Sequence, residues 1–278
     1  MARICIVGLG LIGGSLYEGL KDHHQVVGVD LDPATLKLAK ERGIEATKDL
    51  AAGLKGADLA IVAVPLGKIP ETLQKIAKLA DDKTVVTDVG SVKRMVLRAG
   101  EMYFPSGRFV GGHPMAGTEH RGLANAVPGL FEGRNYIFTP TNDAERKVAE
   151  QIRSYLAPLQ ANFMEMDPDD HDLAVAYTSH MPFLMATSVA RIAQGAMKDV
   201  PDLPKVAASG FRDTTRLAMS NPTLGRDICL ANREALLHAI AAMRYQLSQF
   251  EIMLQNEISV GLEGLFEGVG KWREELKL

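Results

Sequence analysis

RICIVGLGLIGGSL, residues 3–16, decides the fold. An apolar, β-branched run enters Gly8, the chain turns through Gly10, and a helical pattern takes over near Gly13. Strand, tight turn and helix in that order ask for glycine at three positions, each for its own reason. Gly8 permits the turn, Gly10 lets the backbone come close to a bound group, and Gly13 lets helix and strand lie together. The helix then opens on N–H groups without an intrahelical acceptor, a place suited to phosphate.

The second strand pattern, QVVGVD (25–30), ends in Asp30, 17 residues after Gly13. A carboxylate there can accept from a ribose 2′-hydroxyl and repels a 2′-phosphate. The pattern therefore predicts NAD rather than NADP, held by Gly8, Gly10, Leu11, Ile12, Gly13 and Asp30. Asp32 precedes Pro33 and is expected to cap the next helix. A glycine-rich turn with no ligand is the plain alternative to this reading.

Further apolar runs fall at 57–64, 84–89, 108–113, 135–140 and 161–166, with helical patterns between them. Runs such as LAIVAV suit parallel strands buried on both faces. The expectation is an α/β chain whose residues 1–166 form a Rossmann-type doubly wound sheet. After Asp167-Pro168 the strand-like runs stop. Residues 173–197 read as one long helix, apolar nearly all round and so expected to be buried. Pro182 within it takes a donor from the Thr178 carbonyl, and a bend is expected there. Asn221-Pro222 reads as the cap and first turn of another helix. Along that helix Leu236, Ile240, Met243, Leu247, Phe250 and Leu254 step by four and three,. Residues 167–278 are thus expected to be an all-helical C-terminal domain that makes a homodimer.

The 278 residues are 46% hydrophobic with a net charge of −3, enough for a real core and without a basic stripe for nucleic acid,. Cys5 and Cys229 lie far apart in apolar contexts, which predicts two buried free thiols in a reducing compartment. No charged-then-apolar leader precedes the first strand, and no apolar run reaches the roughly 18 residues a membrane span needs. A cytoplasmic protein acting on a small molecule, with no membrane partner, is expected.

In open α/β sheets ligands gather beyond the carboxyl ends of the strands. Three stretches fall there: VAVPLGK (62–68), TDVGSVK (87–93) and GGHPMAGTEH (111–120). Val64 and Pro65 in the first are expected beside the cofactor. Ser91 either caps the helix that follows or faces the ligand. His113, between Gly112 and Pro114 at a strand end, is a candidate base, against the commoner satisfied histidine.

GLGLIGGSL (8–16), TDVGSVK, GGHPMAGTE, DHDLAVAYTSHMPF (170–183) and ASGFRDTTR (208–216), in that order, resemble the prephenate/arogenate dehydrogenase family of tyrosine biosynthesis. The resemblance implies oxidation of a cyclohexadienol by NAD, with loss of the ring carboxylate as CO2 and aromatisation. It implies His113 as the catalytic histidine, Ser91 as the active-site serine, Arg216 as the carboxylate anchor and His180 as a substrate contact. Neutral His113 would take the ring hydroxyl proton as hydride leaves, a general-base role, while Ser91 holds the same hydroxyl. Arg216 would grip a carboxylate with its planar fork. Thr118 and Glu119 of the HPMAGTE loop and Arg212 join the expected substrate site. Asp213 or Glu119 could orient Arg216. Fused chorismate mutase or regulatory domains, found in some members, are not expected.

His180 has a plain alternative, a bond to a nearby backbone carbonyl. His171, among acids in DPDDHD, reads as a surface residue at a helix start. No cluster has metal-ligand spacing. Two rival functions stay open: a β-hydroxyacid dehydrogenase of the same two-domain plan, which would want a catalytic lysine on a glycine-rich helix, and a non-catalytic NAD-sensing protein. Between the two family substrates the expectation leans to prephenate.

Overall fold

The structure, a computed structural model, describes residues 1–118 and 120–276. Its chain divides into two compact units, Met1–Arg233 and Glu234–Leu278.

The larger unit is built on eight strands: β1 (Arg3–Val7), β2 (Gln25–Val29), β3 (Ala46–Thr47), β4 (Leu59–Val62), β5 (Val85–Asp88), β6 (Phe109–Pro114), β7 (Asn135–Thr139) and β8 (Asn162–Glu165). They order as β3-β2-β1-β4-β5-β6-β7-β8. The chain starts in the middle of the sheet, builds outward to β3, then returns past β1 to β4. The carboxyl ends of β1 and β4 therefore flank the crevice where the winding reverses.

Helices α1 (Leu11–Leu20), α2 (Pro33–Glu41), α3 (Leu50–Leu54), α4 (Ile69–Leu79), α5 (Arg94–Tyr103) and α6 (Asp143–Leu156) follow the strands. Alternation along β1 sends Ile4 and Ile6 into one core layer and Cys5 and Val7 into the other, so both faces are covered,. All the expected runs are strands. Two features differ from a uniform doubly wound sheet. The two-residue β3 extends the edge beyond β2. β7 also runs antiparallel to β6, pairing His113 with Ile137, while β8 returns parallel to β7 through α6. Among its described residues the 115–134 connection carries only a short 3-10 turn, and an antiparallel neighbour needs no crossover helix,. That connection is tied to the first helices. The Arg42 guanidinium donates to the Leu123 and Ala124 carbonyls at 2.8 and 2.9 Å, and the Ser15 hydroxyl accepts from the Val127 N–H at 3.0 Å.

Helices α7 (Pro168–Val175) and α8 (Met181–Ala196) flank a π-helical turn at Ala176–His180. The turn lies immediately before Met181-Pro182, where the Met181 N–H reaches back to the Ala176 carbonyl. The expected disturbance by Pro182 thus takes the form of a wide turn that carries the chain past the lost donor. The expectation that 173–197 is buried is corrected. Within one chain Ala186 is the buried residue of α8, and Ile192 is 71% exposed. An apolar helix with that much open surface lacks part of its covering.

Short helices α9 (Leu203–Val206) and α10 (Ser209–Thr215) lead through a 3-10 turn at Arg216–Met219 to α11 (Pro222–Ala231). Asn221 caps α11 by accepting from the Thr223 N–H at 2.9 Å. The helix beginning there ends at Ala231, and α12 (Arg233–Gln255) carries the 4-3 seam. Cys5 is buried and burial pushes its thiol up to about 12; Cys229 is half-buried rather than enclosed. Both are free.

The smaller unit is a helical hairpin of α12 and α13 (Ser259–Glu275). Glu257 turns the chain at φ +51, and Phe250 stacks on Phe266 at 6.0 Å between centroids. In the seam Leu236 is buried, whereas Leu247 and Leu254 are exposed. No helix of the described residues is long and apolar enough to cross a membrane.

Candidate active site

Gly8 sits at φ +101, in the left-handed region that favours glycine, and a Cβ there would press on the Ala63 carbonyl oxygen at 2.6 Å,. The turn therefore nests against the end of β4, beside half-buried Val64 and exposed Pro65. A Cβ on Gly13 would collide with the Gly8 carbonyl oxygen, so the close helix–strand approach read from the sequence is real. Gly10 differs: nothing lies within 4 Å of where its Cβ would be. It precedes α1, which has no side-chain cap and no acid in its first turn. Open space in front of unclaimed N–H groups fits a pyrophosphate.

Leu11 is buried and Ile12 half-buried on the same turn. Asp30 accepts from the Leu9 N–H at 2.8 Å and from the Asp32 N–H at 2.9 Å. Its carboxylate is thereby fixed at the rim of the glycine turn, with lone pairs left for a ribose. Asp32 caps α2, as its position before Pro33 indicates. The residues present fit a dinucleotide.

The second half of the site gathers around the end of β6. Lys93 is completely buried; its Nζ donates to Asp88 Oδ2 at 2.6 Å and to the Gly112 carbonyl at 2.5 Å. Asp88 also accepts from the Gly112 N–H at 3.1 Å and the Gly90 N–H at 2.7 Å. The pair thus holds Gly112, the residue just before His113, by both its N–H and its C=O. Burial pulls the Lys93 ammonium below its ordinary range, and Asp88 opposes that pull.

His113 is half-buried. Its Nδ1 lies 2.8 Å from His171 Nε2, and His171 Nδ1 lies 2.8 Å from Asp172 Oδ1. Asp172 accepts from the Lys93 and Arg94 N–H groups at 2.7 and 2.9 Å, capping α5 from outside that helix. One expectation and one open alternative are answered here. His171 is fully buried rather than a surface residue: with Asp167 capping α7, position 171 falls one turn inside the helix and faces His113. Ser91 does not cap α5, because Asp172 supplies those contacts; its side chain stands half-buried between β5 and α5.

Burial, then the Lys93 charge, then His171 and His180 push the His113 pKa well below the ordinary histidine value. His180, at the end of the π turn, is buried, and its Nδ1 lies 3.1 Å from Asn232 Nδ2. The same Asn232 nitrogen donates to the Asp172 main-chain carbonyl at 2.7 Å. Burial lowers His180 to about 4. A link to a side-chain amide takes the place of the backbone carbonyl considered for it.

Arg216 is exposed where α10 passes into its 3-10 turn, and Arg212 is exposed on α10. Asp213 pairs with the adjacent Arg212 at 2.9 Å, both side chains exposed. Thr118 is exposed, and its hydroxyl accepts from the His120 N–H at 3.2 Å. Glu119 lies outside the described residues. The structure thus joins the glycine turn to Asp30 and Val64, and links His113 to His180 through three residues the motif reading had set aside. His171, Asp172 and Asn232 are those three, and Asp88 and Lys93 are missed as well. DHD, an acid directly after a histidine one helical turn past a cap, was the available signal.

A pyrophosphate-ready turn after β1 and a neutral, relay-backed histidine at the end of β6, on the same carboxyl edge of the sheet, define a dinucleotide-dependent oxidoreductase,. Residues 18–165 match the prephenate dehydrogenase nucleotide-binding domain, and residues 167–268 match the prephenate dehydrogenase dimerization domain. The chain belongs to the prephenate dehydrogenase family. It is 32% identical to a prephenate dehydrogenase of Bacillus subtilis, over 99% of this chain and 76% of that protein. Prephenate dehydrogenase from A. aeolicus, solved in complex with hydroxyphenyl propionate and NAD+, superposes at TM-score 0.93 with 29% identity, covering 99% and 98% of the two chains. Arogenate dehydrogenase of Synechocystis gives 0.86 with 33% identity, covering 98% and 99%.

Proposed function

We propose that this chain oxidises prephenate or arogenate with NAD, with loss of the ring carboxylate as CO2, and that prephenate is the preferred substrate. The observation that carries the reading is His113, a neutral imidazole set at the end of a strand on the sheet edge that also carries the dinucleotide turn, and backed by a buried histidine and aspartate. NAD, when bound, supplies the hydride acceptor. Gly8, Gly10, Gly13 and the first turn of α1 bind its pyrophosphate, Asp30 its ribose, and Val64 and Pro65 flank it.

His113 takes the proton of the ring hydroxyl as the carbon bearing it gives up hydride. Ser91 holds that hydroxyl in line. Arg216 binds a substrate carboxylate, with Arg212, Thr118, Glu119 and His180 completing the substrate site. We assign residues 1–166 to the dinucleotide half and 167–278 to the helical half. The protein works as a homodimer through the helical half, in a reducing cytoplasm that suits its two free thiols,. Family membership speaks against a β-hydroxyacid dehydrogenase. A turnover assay following NADH with prephenate and arogenate side by side tests the rest. Turnover of either supports an enzyme, and a higher kcat/KM for prephenate supports the preference. Turnover of neither by folded protein leaves the NAD-sensing alternative.

A further inference from the structure

We propose that Asp172 sets the protonation pattern of two active-site histidines at once, leaving His113 with a bare Nε2 and His180 with a hydrogen on Nε2, and that Asn232 is the positioning residue for the second. The purpose rests on the dehydrogenase reading above; the geometry does not.

The first arm runs through the Asp172 side chain. Both its oxygens accept from backbone N–H groups at the start of α5, so it offers His171 a lone pair. The 2.8 Å contact then requires the hydrogen of His171 to sit on Nδ1,. With Nδ1 as its one protonated nitrogen, His171 keeps a lone pair on Nε2, and that atom faces His113 Nδ1 at 2.8 Å,. Two lone pairs cannot make this contact, so His113 donates from Nδ1 and its Nε2 is bare.

The second arm runs through the Asp172 main chain. Its carbonyl oxygen lies 2.7 Å from the Asn232 side chain, and only the amide nitrogen can face a carbonyl,. The other hydrogen of that nitrogen meets His180 Nδ1 at 3.1 Å, which must accept it. His180, kept neutral by burial, therefore carries its hydrogen on Nε2. One residue thus makes one imidazole a proton acceptor and the other a donor. A hydroxyl proton goes to His113 Nε2, and the imidazolium so formed stays bonded through Nδ1–H to His171. His180 offers an N–H to an acceptor on the ligand.

The decisive measurement is a long-range ¹H–¹⁵N spectrum of the histidine-labelled full chain near pH 7.5, assigned with His113→Asn, His171→Asn and His180→Asn. It needs neither substrate nor cofactor. The expected result is three neutral rings: Nδ1–H at His113 and His171, Nε2–H at His180. An Nε2–H tautomer at His113, a charged His171 or an Nδ1–H tautomer at His180 overturns the proposal.

Asn232→Asp should move the His180 hydrogen to Nδ1 or charge the ring, while His113 keeps its tautomer. An unchanged His180 removes Asn232 from the scheme, and if that variant does not fold the unmodified spectrum decides alone. Asp172→Asn should lower kcat by up to about 10⁴-fold, the known cost of a wrongly held histidine tautomer. Expected tautomers without turnover of prephenate or arogenate would retire the dehydrogenase reading and leave this one standing. Turnover with inverted tautomers would do the reverse.

Discussion

Lys93 and Asp88 form an ion pair at 2.6 Å in which neither side chain reaches solvent. Their partners explain the placement. Between them they hold the N–H and C=O of Gly112, and so fix the backbone that presents His113. Removing one member leaves the other as an unpaired buried charge, which costs about 3–5 kcal/mol. Lys93→Met should lose about that much stability in urea unfolding. Adding Asp88→Asn should recover part of it, because the uncompensated charge goes too. A single-variant loss below about 1 kcal/mol would mean that the pair does not hold the strand ends.

The cofactor half gives a prediction with a different readout. Asp30 is held by two backbone N–H groups at the rim of the glycine turn, where a 2′-phosphate would meet its charge. Turnover should be much faster with NAD than with NADP at equal concentration, and Asp30→Ala should narrow the gap. Equal use of NADP by the unmodified protein would contradict this assignment.

This half was legible in the sequence because its constraints are local. Gly8, Gly10 and Gly13 answer to one turn, and Asp32 to one helix start. The seven longer strands show themselves as apolar runs. β3, at two residues, is too short to carry a pattern, and the reversal of β7 is invisible because periodicity has no direction,. The relay is the opposite case. His113 and His171 are 58 residues apart, and Asn232 and His180 are 52 apart. Acidic neighbours made His171 look solvated; only the docking of α7 beside α5 turns one of those acids into a cap and the histidine inward. Lys93 likewise carries no signal of its own within TDVGSVK, because only the sheet brings Gly112 to it.

Acid should weaken the fold through the buried histidines. His180 drops from an ordinary 6.5 to about 4 in the folded chain, and His113 shifts the same way. Between those two values the unfolded chain binds a proton that the folded chain refuses, so stability is full above about 6.5 and falls as pH drops towards 4. His180 alone contributes on the order of 3 kcal/mol to that fall. Urea midpoints measured across the window should decline on acidification, and His180→Asn should flatten the slope. A midpoint independent of pH over this range would show the ring to be accessible.

The open apolar surface of the helical hairpin predicts assembly. Leu247 and Leu254 in the α12 seam are exposed, as are Phe266 and Trp272 on α13. The family match over 167–268 is to a dimerization domain. Light scattering at micromolar concentration should give twice the chain mass. Leu247→Lys with Leu254→Lys should shift the population to monomer. A monomeric mass for the unmodified protein would rule the seam out as an interface.

The last prediction separates chemistry from binding. His113 lies in the last residues of β6 and the phosphate turn beyond β1, two separate places on the sheet. His113→Asn should keep NAD affinity and lose about 10²–10⁴-fold in kcat, the usual worth of a positioned acid–base group. Its low pKa adds that the unmodified enzyme's rate should not fall as pH drops through 6.5, since the base stays unprotonated there. Arg216→Ala should act chiefly on KM, because a carboxylate anchor binds ground and transition states alike. Steady-state kinetics with titrated NAD binding distinguish the two patterns. If folded His113→Asn turns over at a near-normal kcat, the imidazole is a structural group, and the relay behind it serves the fold rather than the reaction.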